Sequence, residues 1–131
     1  MEPNTLLHDF DCLPFFLNVI QSKLNEATQH LKKLELYKSF PEHFQAHILN
    51  GLIDVHEEQS DFINVVYKQC HEWHKHTDRK GIRDQIERLE MLTKKLETTV
   101  YHILYLAEQI KILNGLNADN ENEAINKSDF H

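Results

Sequence analysis

Apolar residues recur along the first part of the chain at alternating steps of four and three positions. The members of this first stripe are Leu6, Phe10, Leu13, Leu17, Ile20, Leu24, Ala27, Leu31 and Leu34. This spacing places one narrow apolar stripe on a single face of an α-helix, as in the seam of a coiled coil. Pro14 interrupts the series, because proline removes a backbone N–H group and disfavours helical geometry in the residue before it. We therefore predict a helix over about residues 4–37 with a kink or break near residues 11–14.

A second stripe, also with steps of three and four positions, follows a helix start signal. Its members are Phe44, Ile48, Leu52, Val55, Gln59, Phe62, Val66, Cys70 and Trp73. Ahead of it, Ser39 can cap the helix, Glu42 can complete a capping box, and Pro41 suits a first helical turn. We predict that the second helix begins close to Ser39 and ends near the histidine-rich stretch QCHEWHKH, residues 69–76.

A third stripe follows, with steps of three and four positions. Its members are Ile82, Ile86, Leu89, Leu92, Leu96, Val100, Ile103, Ala107 and Ile110. Thr77 and Asp78 are suitable caps for its start, and Asn114-Gly115 is typical of a helix C-terminus. The last stretch, LNADNENEAINKSDFH, has no apolar periodicity and is acidic. We predict a helical domain over residues 1–115 and a disordered acidic tail over residues 116–131.

The three predicted helices have matched lengths and short connections near residues 38 and 78. Short connections force consecutive helices to run antiparallel. Each helix of about 33 residues would be roughly 50 Å long at a rise of about 1.5 Å per residue. Only three glycines and three prolines are present, which leaves little material for the turns of a sheet protein. The predicted fold is all-α, an elongated antiparallel up-down-up bundle of three long helices.

Several apolar residues lie beside the stripes rather than on them. We predict that six of them form a partner-binding surface: Phe15, Val19, Leu49, Ile53, Leu104 and Leu113. Three helices need one apolar stripe each, so a second stripe calls for a further helix to cover it. We predict a protein partner, in the simplest case a second copy of the chain that makes the bundle four-helix-like.

Charge and composition exclude several classes of partner and location. The formal net charge is −7, whereas nucleic-acid binding needs a basic footprint. The first residues, MEPNTLLHDFDCLPFF, carry acids where a signal peptide would be apolar, and no stretch approaches the length of a membrane span. Two cysteines are too few for the disulfide framework of a secreted domain. We expect a cytoplasmic protein with reduced thiols and no cofactor, binding neither nucleic acid nor membrane.

The stretch QCHEWHKH raises the question of a metal site. In an antiparallel bundle that turns near residue 38, residues of the first two helices whose numbers sum to about 78 lie level, at the same height along the bundle axis. This rule places His8 beside Cys70, with Cys12 nearby. Cys70 and His74 share a helix face, so His8, Cys12, Cys70 and His74 are a candidate set of zinc ligands. The favoured interpretation is a core cysteine followed by histidines that suit the negative end of the helix dipole.

The segment AHILNG, residues 46–51, resembles the active segment of histidine phosphotransfer domains. Those domains are small helical bundles with an exposed phosphorylatable histidine, and the resemblance implies His47 as the phosphoacceptor. Gly51, one turn further on, would leave room for the docking protein. Asn50 stands where the family has a lysine suited to phosphoryl oxygens, and the following LIDVHEE is acidic.

A second segment, EEQSD at residues 57–61, resembles the first metal-binding motif of MazG-type nucleotide pyrophosphohydrolases. The resemblance implies magnesium ligands at Glu57, Glu58 and Asp61, but the aspartate of the family's second motif is missing from LETTVYHILYLAEQ. We therefore interpret the three acids as a solvated helix face. Level histidines, His30 with His47 and His56 with His102, suggest a di-metal site, which lacks the inward carboxylates it would need.

Catalytic signals are otherwise sparse, because the sequence contains no glycine-rich phosphate loop and no nucleophile motif. The sequence predicts a protein without enzymatic activity that works through protein–protein interaction, as an adaptor, a chaperone-like protein or a regulatory subunit. The alternative hypothesis is a histidine phosphotransfer protein that uses His47.

Overall fold

The computed structural model describes residues 9–40 and 45–129, with side chains described as far as residue 115. A 3₁₀ turn at Phe10–Cys12 leads into α1, Leu13–Tyr37, followed by α2, Ala46–His76, and α3, Lys80–Asp129. Both α1 and α2 pack against α3, so the predicted all-α bundle of three helices is confirmed. Over the described residues the chain forms no strand.

The first helix is interrupted where Pro14 predicts a break. The backbone N–H of Cys12 donates to the carbonyl of Asp9 at 2.9 Å, which closes the 3₁₀ turn. Pro14 then lies in the first turn of α1, where the missing N–H would have had no helical partner. The predicted helical residues 4–8 lie outside the described part of the chain.

The second helix begins later than its capping signal predicts. Ser39 lies in the turn that follows α1, and α2 starts only at Ala46, with Gln45 in extended geometry and no side-chain cap. The predicted start close to Ser39 is therefore wrong, and residues 41–44, which include Glu42, lie outside the description. The longer connection changes which residues of α1 and α2 lie level.

The core stripe of α2 differs from the predicted one in the first half of the helix. Leu49 and His56 are fully buried, whereas the predicted Ile48 and Val55 are 48% and 43% exposed. Ile48 and Leu49 are adjacent apolar residues, so spacing alone cannot decide which of them faces inward. In the second half of α2 the predicted Gln59, Val66, Cys70 and Trp73 are buried as expected.

The stripe of α3 is confirmed over its whole length. Every predicted member is buried apart from Ile82, which is half-buried. The turn before α3 is held by the Thr77 hydroxyl oxygen, which accepts a hydrogen bond from the Arg79 backbone N–H at 3.2 Å. This bond is consistent with the role of Thr77 at the helix start.

The backbones of α1 and α2 approach α3 more closely than they approach each other. Large side chains fill the space between them, since Trp73 of α2 contacts Phe10 at 6.2 Å and Phe16 at 5.5 Å between ring centroids. Further along, the Lys23 ammonium lies 5.1 Å from the centre of the Phe62 ring. The wide α1–α2 interface therefore admits polar groups that a tighter helix pair would exclude.

Removing residues 117–131 is expected to leave the melting temperature within a few degrees of the full-length value. The described core runs from Leu13 to Ile110, and the truncation removes none of these residues. Thermal unfolding followed by circular dichroism compares the two proteins. A drop of more than about 5 °C, equivalent to about 1–2 kcal/mol in a domain of this size, would place the tail in the core. The helix end predicted at Asn114-Gly115 is wrong, because α3 continues to Asp129. The domain boundary at residue 115 stays a prediction.

Candidate functional site

A groove lies between the end of α1 and the start of α2. Its volume is about 570 Å³, and the described residues that line it are His30, Lys33, Leu34, Leu36, Tyr37, Ile48 and Leu52. Leu36 is 69% exposed and Ile48 is 48% exposed, although both are large apolar side chains. The groove is therefore apolar along its walls and has a cation, Lys33, at its edge.

A histidine pair lies at one side of this groove and continues into the core. His30 Nδ1 and His56 Nε2 are 2.8 Å apart, with the two rings nearly perpendicular at 88°. His30 also lines the groove, whereas His56 is completely buried. The predicted level pair of His30 with His47 is wrong, because the late start of α2 shifts the register between α1 and α2. His102, predicted to lie level with His56, is exposed on α3. Facing residues of α1 and α2 have numbers that sum to about 86, as for His30 and His56, rather than about 78.

The buried ring has one nitrogen without a partner. Within the described residues, neither His56 Nδ1 nor the side-chain oxygen of Gln59 has a hydrogen-bond partner, although both atoms are buried. An orphaned N–H group is less tolerable than an orphaned acceptor. We therefore assign the proton of His56 to Nε2, which donates to Nδ1 of His30 and leaves Nδ1 of His56 as a bare acceptor.

Burial keeps His56 uncharged near neutral pH. Its pKa is lowered to about 4, mainly by desolvation and in part by the neighbouring His30, while Glu26 opposes the shift. A charged imidazolium at this place would lack solvent and would face a second imidazole. His56 therefore contributes a neutral polar contact between α1 and α2.

The histidine-rich end of α2 forms a different set of contacts. His74 Nε2 lies 3.0 Å from Glu90 Oε1, which joins the end of α2 to α3. Cys70 is fully buried, Cys12 is half-buried, and both are free thiols. His8 lies outside the described residues, and in the described part of the chain no group of three histidine, cysteine or acidic side chains could hold a metal ion. The structure thus places Cys70 on the core stripe.

The two thiols are expected to differ in reactivity. Burial, with a smaller contribution from Glu90, raises the pKa of Cys70 to about 12, so almost none of it is thiolate near pH 8. In the native protein, a thiol reagent such as dithionitrobenzoate should label Cys12 first. Cys70 should be labelled only when the protein unfolds. Mass spectrometry of digested samples identifies the labelled cysteine. Labelling of both at one rate would contradict the burial of Cys70, and Cys12→Ser is the control.

His47 lies in the first turn of α2 and is exposed. One turn further on, a Cβ atom added at Gly51 would meet no neighbouring atom of the described residues within 4 Å, so these residues leave the surface beside His47 open. Glu57, Glu58 and Asp61, the acids of the pyrophosphohydrolase-like segment, are exposed along the same helix. The histidine is therefore accessible to another protein, at the end of a helix rather than in its middle.

The six residues of the predicted partner-binding surface fall into three groups. Phe15 and Leu113 are 65% and 43% exposed, and Val19 is half-buried. Ile53 and Leu104 are half-buried and pack against the core. Leu49 is fully buried, so its expected position beside the core stripe is corrected to a position within it.

Sequence reasoning missed two polar contacts between helices. One is the His30–His56 pair, and the other is the Tyr67 hydroxyl, which donates to Glu97 at 3.3 Å. Burial, followed by the nearby Glu97, raises the pKa of Tyr67 to about 12. Histidine at position 56 continues the series from Leu49 to Ile63 by steps of seven, and this spacing is the signal that could have placed it in the core.

Comparison with known proteins identifies no relative. No family model, no curated protein and no solved structure matches the chain. Among the described residues, no helix combines the length and apolar character needed to cross a membrane.

Proposed function

We propose that this protein is a non-enzymatic helical bundle that works through protein–protein interaction, as an adaptor, chaperone-like protein or regulatory subunit. The observation that carries the proposal is the groove between α1 and α2. Leu36, Tyr37 and Ile48 are exposed there around a volume of about 570 Å³. Covering one such side chain contributes about 1.5–3 kcal/mol, which favours a partner that fills the groove.

Charge around the groove indicates the kind of partner. Within residues 31–40, the end of α1 and the turn after it, Lys32, Lys33 and Lys38 stand against one acid, Glu35. This end of α1 is basic in a chain whose net charge is −7. The partner that fits is an amphipathic segment with apolar side chains for the groove and an acidic group near Lys33.

The other exposed residues of the predicted surface, Phe15 and Leu113, lie outside the lining of the groove. They remain candidates for further contacts with the same partner. We also propose a cytoplasmic location, which the two free thiols support.

Matched surface variants test the groove. Tagged wild-type protein, Ile48→Asp and Val65→Asp are used to capture proteins from cells of the source, and quantitative mass spectrometry compares the three. Val65 is 40% exposed on α2 and does not line the groove, so it controls for loss of an exposed apolar residue. The expected result is a protein retained by wild type and Val65→Asp and lost by Ile48→Asp, whose purified form binds at least about tenfold more weakly to that variant. Equal capture by all three proteins would contradict a role for the groove.

A second candidate function is histidine phosphotransfer through His47. It is favoured by the exposure of His47 and by the open surface at Gly51. Incubation with a phosphorylated receiver domain tests it, with acid-labile phosphate on the chain as the measured quantity. Phosphate on wild type and not on His47→Gln would replace the adaptor proposal. If neither wild type nor His47→Gln carries phosphate, or if both carry equal amounts, His47 is not the phosphoacceptor.

A further inference from the structure

The outer surface of α3 carries a second seam, distinct from the stripe that faces the core. Its seven members follow one another at alternating steps of three and four, and all are exposed. We call them the outer seam: Met91, Lys94, Thr98, Tyr101, Tyr105, Glu108 and Ile112. This spacing is that of the a and d positions of a coiled coil, sustained for about three heptads and roughly 30 Å of helix.

The contacts within one chain do not account for this seam. Both α1 and α2 pack against α3 on the side that buries Leu96, Val100 and Ile103. The large side chains of the outer seam remain exposed: Met91 at 49%, Tyr101 at 67%, Tyr105 at 57% and Ile112 at 55%. Tyrosine and methionine are enriched at protein interfaces, where an amphipathic ring or a flexible side chain can be covered without leaving a polar group unpaired.

The order of residues along the seam makes it complementary to the seam of a second copy that runs in the opposite direction. A two-fold axis close to Tyr101 brings Met91 level with Ile112 of a second copy. The same axis brings Thr98 level with Tyr105, and Lys94 level with Glu108. A parallel pairing would instead set lysine against lysine and glutamate against glutamate, which is unfavourable.

The charges of the seam are available for such a pairing. Lys94 has an exposed contact of 3.4 Å with Glu97, and Glu108 has one of 3.9 Å with Lys111. Exposed pairs of this kind contribute little and exchange readily. The seam itself contains one lysine and one glutamate and is neutral, so two chains of net charge −7 can approach here with the least repulsion.

We propose that two copies of this chain pair through the outer seam of α3 as an antiparallel two-fold dimer. The seam does not include the residues that line the groove between α1 and α2. The proposal therefore stands independently of the proposed adaptor function, and each copy in the dimer keeps its groove.

Sedimentation equilibrium at micromolar concentration tests the dimer. Wild type is expected at twice the monomer mass of 15.6 kDa. Tyr105→Glu places two like charges in the seam and should raise the dissociation constant at least about tenfold. Val65→Glu, an exposed site on α2, should match wild type. Circular dichroism checks that each variant is folded. A monomer at all concentrations, or a dimer that Tyr105→Glu leaves unchanged, overturns the proposal.

A charge exchange tests the antiparallel arrangement. Lys94→Glu alone should weaken the dimer, because the new carboxylate of each copy then faces Glu108 of the other, and Glu108→Lys should weaken it through the converse repulsion. Combining the two substitutions restores opposite charges at both ends of the seam and should return the dissociation constant to within about threefold of wild type. Single variants that dimerise as tightly as wild type, or a double variant as weak as the singles, overturn the antiparallel pairing.

Discussion

Lowering the pH from 7 to 4.5 is expected to reduce the free energy of unfolding by about 2 kcal/mol through His56 alone. The pKa of His56 is lowered to about 4 in the folded protein, against 6.5 for an unperturbed histidine. Between these values the unfolded chain binds a proton that the folded chain does not, so protonation favours unfolding. The stabilisation is therefore complete above pH 6.5 and is lost as the pH falls towards 4.

A variant of His56 separates the part of the pH-dependent stability that is due to His56 from the part that is due to the acidic side chains. Urea unfolding is measured at several pH values for wild type, His56→Leu and His102→Leu. His56→Leu removes the titrating group, so its stability should fall by about 2 kcal/mol less than that of wild type over the same range. His102 is exposed, and its variant should keep the wild-type slope. Identical slopes in all three proteins would contradict the burial of a neutral His56.

Replacing Leu49 by alanine is expected to destabilise the protein by about 2–5 kcal/mol, whereas Ile48→Ala should change stability by no more than about 0.5–1 kcal/mol. Leu49 is fully buried in the core, and Ile48 next to it is 48% exposed. Alanine at position 49 would leave a cavity among packed neighbours, while at position 48 it shortens a side chain in the open groove. Denaturant unfolding of the two variants measures both effects.

The Leu49 and Ile48 variants also test the rotation of α2 about its own axis. If the helix were turned as the spacing of Ile48, Leu52 and Val55 predicts, Ile48→Ala would be the destabilising change. Equal effects of the two substitutions would place both residues at the boundary of the core. Val55→Ala should resemble Ile48→Ala and leave the stability of the protein almost unchanged, because Val55 is 43% exposed.

The histidine pair that is expected to confer acid sensitivity lies beside the groove that we propose binds a partner. His30 lines the groove and is bonded to His56, which lies in the core between α1 and α2. Protonation of the buried ring would place a proton on Nδ1, which has no hydrogen-bond partner among the described residues. We therefore expect mild acid to weaken the α1–α2 interface beside the groove.

The sequence by itself determined the fold class and most of the core. The steps of three and four in α3 left one possible inward face, and each predicted member of that stripe is buried or half-buried. Pro14 located the interruption near residues 11–14, because a ring without an N–H group is best accommodated in the first turn of a helix. Such features are local, so they can be inferred without knowing what packs against the helix.

The tertiary structure alone decided how the first half of α2 is turned and what its core contains. Adjacent apolar residues such as Ile48 and Leu49 offer two inward faces of nearly equal apolar character, and packing against α1 and α3 selects between them. That choice buries His56, and the late start of α2 sets the register that brings it to His30. The groove and the histidine pair arise from contacts between residues far apart in the chain, and a local pattern does not contain them.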